Sequence, residues 1–359
     1  MSYRSTFFRN RILGKLRKIL TEDELSLLTR GGLNIELADQ LRENVIGTIQ
    51  IPLCIADGFK VNNKELLIPL ATEERSIVLQ AERGAELVDE GFHSDSSEQI
   101  MIGQIQVVNV PNLNLAKNRV LSEKQSLLRD ASAISLTRKP LDLNVRCIET
   151  VAGPMLIIEL YVDVKDSMGA NLVDSMCELI APTIEEITDG RVNMRILSNL
   201  ATSRMVYVTA KVKKEILGEV IIERIVKASA FASVDPYRAT THNKGVMNGV
   251  SAVLLATGND TRAVEAGAHA YAALSGVYRP LTEWNVDKSG DLIGTLKMPM
   301  SVGTIGGIIN AHPVAKLSLR ILGTDNATEL GQAVASTGLA SNLGALYILV
   351  TSGIKSIQP

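Results

Sequence analysis

Lys244 stands in the stretch 238-RATTHNKGVMNG-249, and the run 245-GVMNGVSAVLLATG-258 behind it predicts a well-buried helix. A lysine at the mouth of an apolar element is costly unless something accepts its charge. Asp260 ends the loop that leaves this helix, in 256-ATGNDTRAVEAGAHAYA-272, so close packing of the two helices would let lysine and aspartate meet. Two further carboxylates, Glu73 and Glu74 in 71-ATEERSIV-78, sit where a strand gives way to a helix. A buried Lys–Asp pair with a second carboxylate nearby is a proton-transfer arrangement whose pKa values are tuned by burial and charge. Each residue also has a plainer use. Lys244 fits a solvated loop at a helix start, the glutamates fit a first turn that favours negative charge, and Asn259 or Asp260 fits an N-cap.

A second group of residues could hold an anion. In 165-KDSMGAN-171, Gly169 permits close approach of the backbone, and the helix expected to follow offers free N–H groups and the positive end of its dipole. That suits a pyrophosphate, although neither G-x-G-x-x-G nor G-x-x-x-x-G-K-[ST] is present. The alternative is an ordinary strand-to-helix turn capped by Asp166 or Ser167, and 302-VGTIGG-307 has the same two readings. The four histidines, His93, His242, His269 and His312, have no metal-ligand spacing, and no G-x-S-x-G elbow or Cys–His arrangement occurs.

The elements that must position these groups follow from periodicity. Phe8, Ile12, Leu16 and Ile19 give the basic N-terminal stretch helical spacing, read as a surface helix with a solvated basic face. A capping box from Thr21 to Glu24 opens a second helix that the glycines at 31–32 stop. Short strands are expected within 45–71 and a helix over 76–91, with the polar 93-HSDSSEQ-99 as a domain boundary. From there strand 100–110, helix 116–132, strand 142–150, strand 155–164, helix 172–187 and strand 191–197 alternate as β-α-β-β-α-β, the split βαβ order of ferredoxin-like domains. Helices dominate 215–280, and two helical stretches follow the turn at 302. The reading is an α+β protein in which a small domain, 99–203, is inserted into a large mixed domain formed by 1–98 and 204–359.

Composition narrows the function. The 37 basic and 39 acidic side chains nearly cancel, which argues against a general nucleic-acid binder, and 4% aromatics leave little for base stacking. Cys54, Cys147 and Cys177 are odd in number and widely spaced, so they read as reduced core thiols of a cytoplasmic protein. Continuous apolar runs fall short of the roughly 20 residues needed to span a bilayer.

The stretches 43-ENVIG-47, 71-ATEERSIV-78, 163-DVKDSMGAN-171, 196-ILSNLA-201, 235-DPYRATTHNKGVMNG-249 and 256-ATGNDTRAVEAGAHAYA-272 together closely resemble the soluble, class II form of 3-hydroxy-3-methylglutaryl-CoA (HMG-CoA) reductase. The resemblance runs in order over nearly the whole chain. It implies a large domain with a central helix and a ferredoxin-like dinucleotide-binding insert. It further implies catalytic roles for Glu74, Lys244 and Asp260. Asp166, Met168, Gly169, Asn171 and Asn199 match its nicotinamide-dinucleotide contacts, and Ser76, Arg238 and Asn248 match positions that hold the hydroxymethylglutaryl group. Asp142 matches an acidic residue that favours NAD over NADP, because a carboxylate binds a ribose 2′-OH and repels a 2′-phosphate.

The activity so implied is reduction of HMG-CoA by two hydrides, through a thiohemiacetal and mevaldehyde, to mevalonate and CoA, or the reverse. Lys244 would stabilise charge on the carbonyl oxygen, Glu74 would supply a proton if apolar surroundings raise its pKa, and Asp260 would hold Lys244. The expected assembly is a cytoplasmic homodimer, or such dimers grouped into a hexamer, with 43-ENVIG-47 near the interface and neither metal, nucleic acid nor membrane involved. Family members carry a mobile C-terminal flap with a histidine that protonates the departing thiolate. The sequence 352-SGIKSIQP-359 holds no such histidine, so residues 1–359 are expected to bind both ligands but turn the thioester over slowly. Rival readings are a reductase of a related acyl-CoA, or a non-catalytic CoA- or dinucleotide-binding homologue. Ser76 and Arg238, suited to a second carboxylate, argue against the first, and Glu74, Lys244 and Asp260 together argue against the second.

Overall fold

The structure, a computed structural model, describes residues 3–31 and 33–353, with residues 3–9 as backbone only. Phe8's side chain and Gly32 therefore lie outside the described residues. Helices α1 (Tyr3–Leu16), α2 (Glu22–Arg30) and α3 (Ile35–Leu41) lead into strands β1 (Leu53–Val61) and β2 (Lys64–Ala71), helix α4 (Arg75–Leu87) and strand β3 (Phe92–Ser96). Next come β4 (Ile100–Val108), α5 (Leu113–Ser122), α6 (Lys124–Ala131), β5 (Pro140–Ile148), β6 (Met155–Asp163), α7 (Ala170–Thr188) and β7 (Arg191–Ser198). The rest is β8 (Met205–Val212), α8 (Lys214–Leu217), α9 (Glu219–Val234), α10 (Pro236–Ala256), α11 (Thr261–Ala272), β9 (Thr282–Val286), β10 (Leu292–Pro299), α12 (Gly307–Ala311), α13 (Pro313–Leu322) and α14 (Ala327–Val350).

The chain divides into two units, residues 1–96 with 206–359, and residues 97–205. In the larger unit a six-stranded sheet runs β2-β1-β3-β8-β10-β9. Its core includes Phe59, Ile68, Leu70, Trp284 and Met298 from the sheet, and Val250, Leu330 and Leu343 from the helices. Among the described residues, α14 alone has the length and composition to cross a bilayer, yet 78% of its most apolar window is buried inside the protein. It reads as a core helix. Its closest partner is α4, and the contact is made by glycines. A Cβ on Gly84 would lie 1.9 Å from the Ala340 carbonyl oxygen, and one on Gly344 would lie 2.0 Å from that of Gln80. Near the N-terminus, Ile12, Leu16 and Leu20 pack on Leu317 and Ile321 of α13. The capping box forms between Thr21 and Glu24, and Gly31 (φ 83°) ends α2.

In the smaller unit a four-stranded antiparallel sheet runs β5-β6-β4-β7. Its core joins Ile105, Leu156, Ile158 and Leu160 to Val173, Met176 and Ile180 of α7 and Leu127 of α6.

One sequence expectation is sharpened and two are corrected. The two units part after Ser96, inside 93-HSDSSEQ-99, but 92-FHSDS-96 is itself the interior strand β3, paired with β8 from Phe92↔Ala210 to Ser96↔Val206. Buried Ser94 tolerates that place because its hydroxyl donates to the Tyr207 carbonyl and its N–H to Asn62 Oδ1. The helix expected over 116–132 is two helices that meet at Glu123. Cys147 is exposed rather than a core thiol, whereas burial pushes the Cys177 thiol up to about 12.

Candidate active site

Lys244 is not at a helix start. Asp235 accepts from the Arg238 N–H (2.7 Å) as N-cap, Pro236 fills the first turn, and α10 then runs unbroken past Lys244 to Ala256. The lysine therefore projects from the middle of a rigid element. The residues just before it are anchored by buried hydrogen bonds. Thr282 Oγ1 donates to Asn342 Oδ1 (3.0 Å), which also accepts from Trp284 Nε1 (2.8 Å). Because the Thr282 proton is so used, the 2.6 Å contact with His242 Nε2 must be donated by the imidazole. Burial, and next the charge of Arg238, pull the His242 pKa down to about 4, so the ring is neutral near pH 7. Asn243 donates to the Arg279 carbonyl (2.9 Å) and accepts from the Leu281 N–H (2.8 Å). Lys244 itself, with its side chain 61% exposed, is left to reach outward.

It reaches Glu74. Nζ lies 3.4 Å from Glu74 Oε2, joining α10 to the β2–α4 junction. Glu74 occupies the N-cap position of α4 but its carboxylate does not cap. It accepts instead from the hydroxyl of buried Ser76, while its own N–H is held by Thr72 Oγ1 (3.1 Å). The expected upward shift of this carboxyl is reversed. The Ser76 hydroxyl, and behind it Lys244, hold Glu74 below the ordinary carboxylate range against the opposite push of burial. The carboxyl is too open to solvent, and too well hydrogen-bonded, for burial to win.

Asp260 is the N-cap of α11. Its Oδ1 accepts from the Arg262 and Ala263 N–H groups (3.1 Å each) and pairs with Arg262 Nε at 3.4 Å. The expected pair with Lys244 is not formed, because helix capping and Arg262 already engage the carboxylate. Asn248 lies one turn beyond Lys244 on the same face of α10. Arg238, six positions earlier, is turned about 120° around the axis. It is half-buried, its guanidinium makes no ion pair among the described residues, and burial lowers its pKa. A half-buried, unpaired cation is suited to an anionic ligand.

The smaller unit carries the second constellation. Between β6 and α7, Lys165 (φ 51°) and Gly169 (φ 101°) turn the chain, and a Cβ on Gly169 would meet Val164 Cγ1 at 2.5 Å. Neither Asp166 nor Ser167 caps α7, which starts from Gly169 with no side-chain cap. The Ser167 hydroxyl donates to the Val164 carbonyl (2.8 Å) instead. Met168 is partly exposed and Asn171, in the first turn of α7, is exposed. Pairing brings the other candidates to this end of the sheet: Asp142 of β5 lies opposite Tyr161, and β7 delivers Asn199 beside the start of β4, opposite the end of β6. Asp142 is ion-paired with Lys124, a partner that sequence reasoning missed, and this contact first of all holds its carboxyl low. An uncapped helix end, a turn that admits only glycine and a carboxylate at one sheet end fit the pyrophosphate and ribose of a dinucleotide.

Over residues 8–356 the chain matches the family described as hydroxymethylglutaryl-coenzyme A reductase. A 3-hydroxy-3-methylglutaryl-coenzyme A reductase of Archaeoglobus fulgidus is 46% identical over 97% of this chain and 83% of its own. A probable enzyme of the same name from Borreliella burgdorferi is 30% identical over 99% and 84%. The class II HMG-CoA reductase of Streptococcus pneumoniae, solved bound to NADPH in open conformations, shares 37% identity over 98% of each chain with a TM-score of 0.93. On this extent of likeness the chain belongs to the HMG-CoA reductase family of oxidoreductases, which act on HMG-CoA with a nicotinamide cofactor.

Proposed function

We propose that this chain reduces HMG-CoA to mevalonate and CoA with Lys244 as oxyanion stabiliser and Glu74 as proton donor. The Lys244–Glu74 contact between α10 and α4 supports this most directly. A reduced nicotinamide, when bound, would supply one hydride, so the two reductions would use two cofactors in succession. Each hydride pushes charge onto the substrate carbonyl oxygen, and the ammonium of Lys244, aimed from an anchored helix, receives that charge. Arg238, Ser76 and Asn248 hold the hydroxymethylglutaryl group. Asp260 takes up Lys244 only after a change from the present geometry, in which it serves α11 and Arg262. The larger unit is the substrate- and CoA-binding, dimerising domain, built around α14 as its central helix. The smaller unit, a ferredoxin-like split βαβ domain, holds the cofactor. The working state is a cytoplasmic homodimer.

The Glu74 contacts give the proton transfer a logic. The two groups that keep its carboxyl low, Ser76 and Lys244, are the two that substrate would claim. When they turn to substrate, burial is left as the dominant influence and the carboxyl pKa rises. Substrate binding is then coupled to proton uptake, so affinity for HMG-CoA should fall as pH rises through the range between the free and bound pKa values of Glu74. Calorimetry in buffers of different ionisation heat should show net proton uptake on HMG-CoA binding that fades as pH rises, and the signal should vanish in Glu74→Gln. Binding with no proton uptake at any pH would exclude the role.

For the dinucleotide we propose NAD as the preferred form, read by Asp142 with Asp166, Met168, Gly169, Asn171 and Asn199 around the pyrophosphate and nicotinamide. Initial rates of HMG-CoA-dependent oxidation should favour NADH over NADPH, and Asp142→Asn should narrow that ratio by about tenfold, the effect of removing one repulsive charge. With Asp142 gone, Lys124 would be free to meet a 2′-phosphate. A ratio unchanged by the substitution would remove Asp142 from cofactor choice.

A further inference from the structure

Arg204 is the most deeply buried cation of the smaller unit, at 1% exposure, and nothing in the proposed chemistry uses it. It lies where the loop after β7 returns to β8. Its Nε donates to Gln99 Oε1 at 2.7 Å, and its Nη1 donates to the carbonyls of Ser167 and Met168, each at 3.2 Å. Burial draws its pKa down to about 10 while the charges of Asp166 and Asp163 pull the other way, so it is a cation near pH 7. A buried guanidinium is kept only where its donors are used, and here they are spent on consecutive carbonyls of the turn that precedes α7.

That choice of partners has a directional result. In a trans peptide the carbonyl and the following N–H point opposite ways, and no cis bond occurs among the described residues. Drawing the Ser167 and Met168 carbonyls toward Arg204 therefore turns the N–H groups of Met168 and Gly169 to the other side of the chain. Successive N–H groups turned one way make an anion-binding concavity, continuous with the uncapped start of α7. We infer that Arg204 is a positioning residue that aims these peptide N–H groups at the pyrophosphate of the dinucleotide, without touching it. Arg204 acts from behind the turn, as a clamp on its shape. The inference rests on the reading that this turn holds the cofactor.

The test uses the full chain with NADH as probe. Hydrogen exchange of amides 166–172, with and without saturating NADH, first asks whether the turn meets the cofactor: protection is expected, and its absence in the unaltered chain would overturn the reading of the turn itself. Arg204→Lys keeps the charge and loses the fork, Arg204→Met loses both, and Gln99→Ala loosens the clamp from its far side. Given that protection, Arg204→Lys should raise the KM and dissociation constant for NADH by about tenfold or more. The KM for HMG-CoA should stay within twofold, and the apo turn should exchange faster while the β4–β6 amides do not. Gln99→Ala should do the same more weakly, and decides the matter if Arg204→Met does not fold. NADH affinity unchanged in both Arg204→Lys and Gln99→Ala, with the turn still protected in the unaltered chain, would overturn the clamp and leave the cofactor site standing.

Discussion

Replacing Lys244 by alanine is expected to slow NADH-dependent reduction of mevaldehyde by about 10³-fold, roughly 4 kcal/mol of lost transition-state stabilisation. Mevaldehyde is the informative substrate because its reduction involves no thiolate departure, so the assay isolates hydride arrival at a carbonyl. The effect should fall on kcat, since the ammonium interacts more strongly with an oxyanion than with a neutral carbonyl. Thermal stability should barely change. The side chain is 61% exposed, its ion pair with Glu74 is open to solvent, and the anchoring of α10 is carried by His242, Asn243 and Asn342. Lys244→Arg should recover only a small part of the rate, because a planar fork does not place its charge where an ammonium does. A Lys244→Ala chain that reduces mevaldehyde within tenfold of the unaltered one would end the mechanism proposed above.

The largest stability effect belongs to a glycine. Gly84→Ala puts a methyl group where the Ala340 backbone already is, 1.9 Å from its carbonyl oxygen, and the obstacle is backbone rather than the end of a flexible side chain. The two helices must separate, with a cost of roughly 3 kcal/mol or more. Gly344→Ala should match it from the other side, where Gln80 is the obstacle. Gly14→Ala is the control: in α1, with open space around it, the added methyl should be neutral or stabilising by up to about 1 kcal/mol. Denaturant midpoints would rank the three, and a Gly84→Ala midpoint equal to that of the unaltered chain would show the crossing to be looser than described. The crossing also matters to chemistry, because Glu74 and Ser76 are carried at the start of α4.

How much of this was legible beforehand depended on range along the chain. The capping box at Thr21, the β6 strand and helix α7 announce themselves through neighbours three to seven residues away, and local pattern finds them. The true start of α10 was legible too, in the Asp235-Pro236 pair, but the polar run after it pointed to a loop. Strand β3 carries no apolar alternation to read, since its burial is satisfied by Asn62 and Tyr207 from far along the chain. The Lys244–Glu74 contact spans 170 positions, and the downward shift of Glu74 follows from a hydroxyl whose direction no spacing encodes. The pairing of Lys244 with Asp260 illustrates the converse: two residues brought close in expectation because their helices are consecutive, while the aspartate's geometry is spent on capping. Lys124 and Arg204 left no local signal at all, being single cations among ordinary polar neighbours.

The β3–β8 ladder has a consequence for how such a molecule comes apart or together. Its last pair, Ser96↔Val206, is also the place where the chain leaves for residues 97–205 and returns. To the larger sheet, everything between is one very long hairpin loop, and closure entropy rises only slowly with loop length. A tight two-residue turn could replace it and leave the ladder continuous. The gene for such a protein could therefore gain, lose or exchange its inserted segment as a cassette, with the ends already stitched side by side.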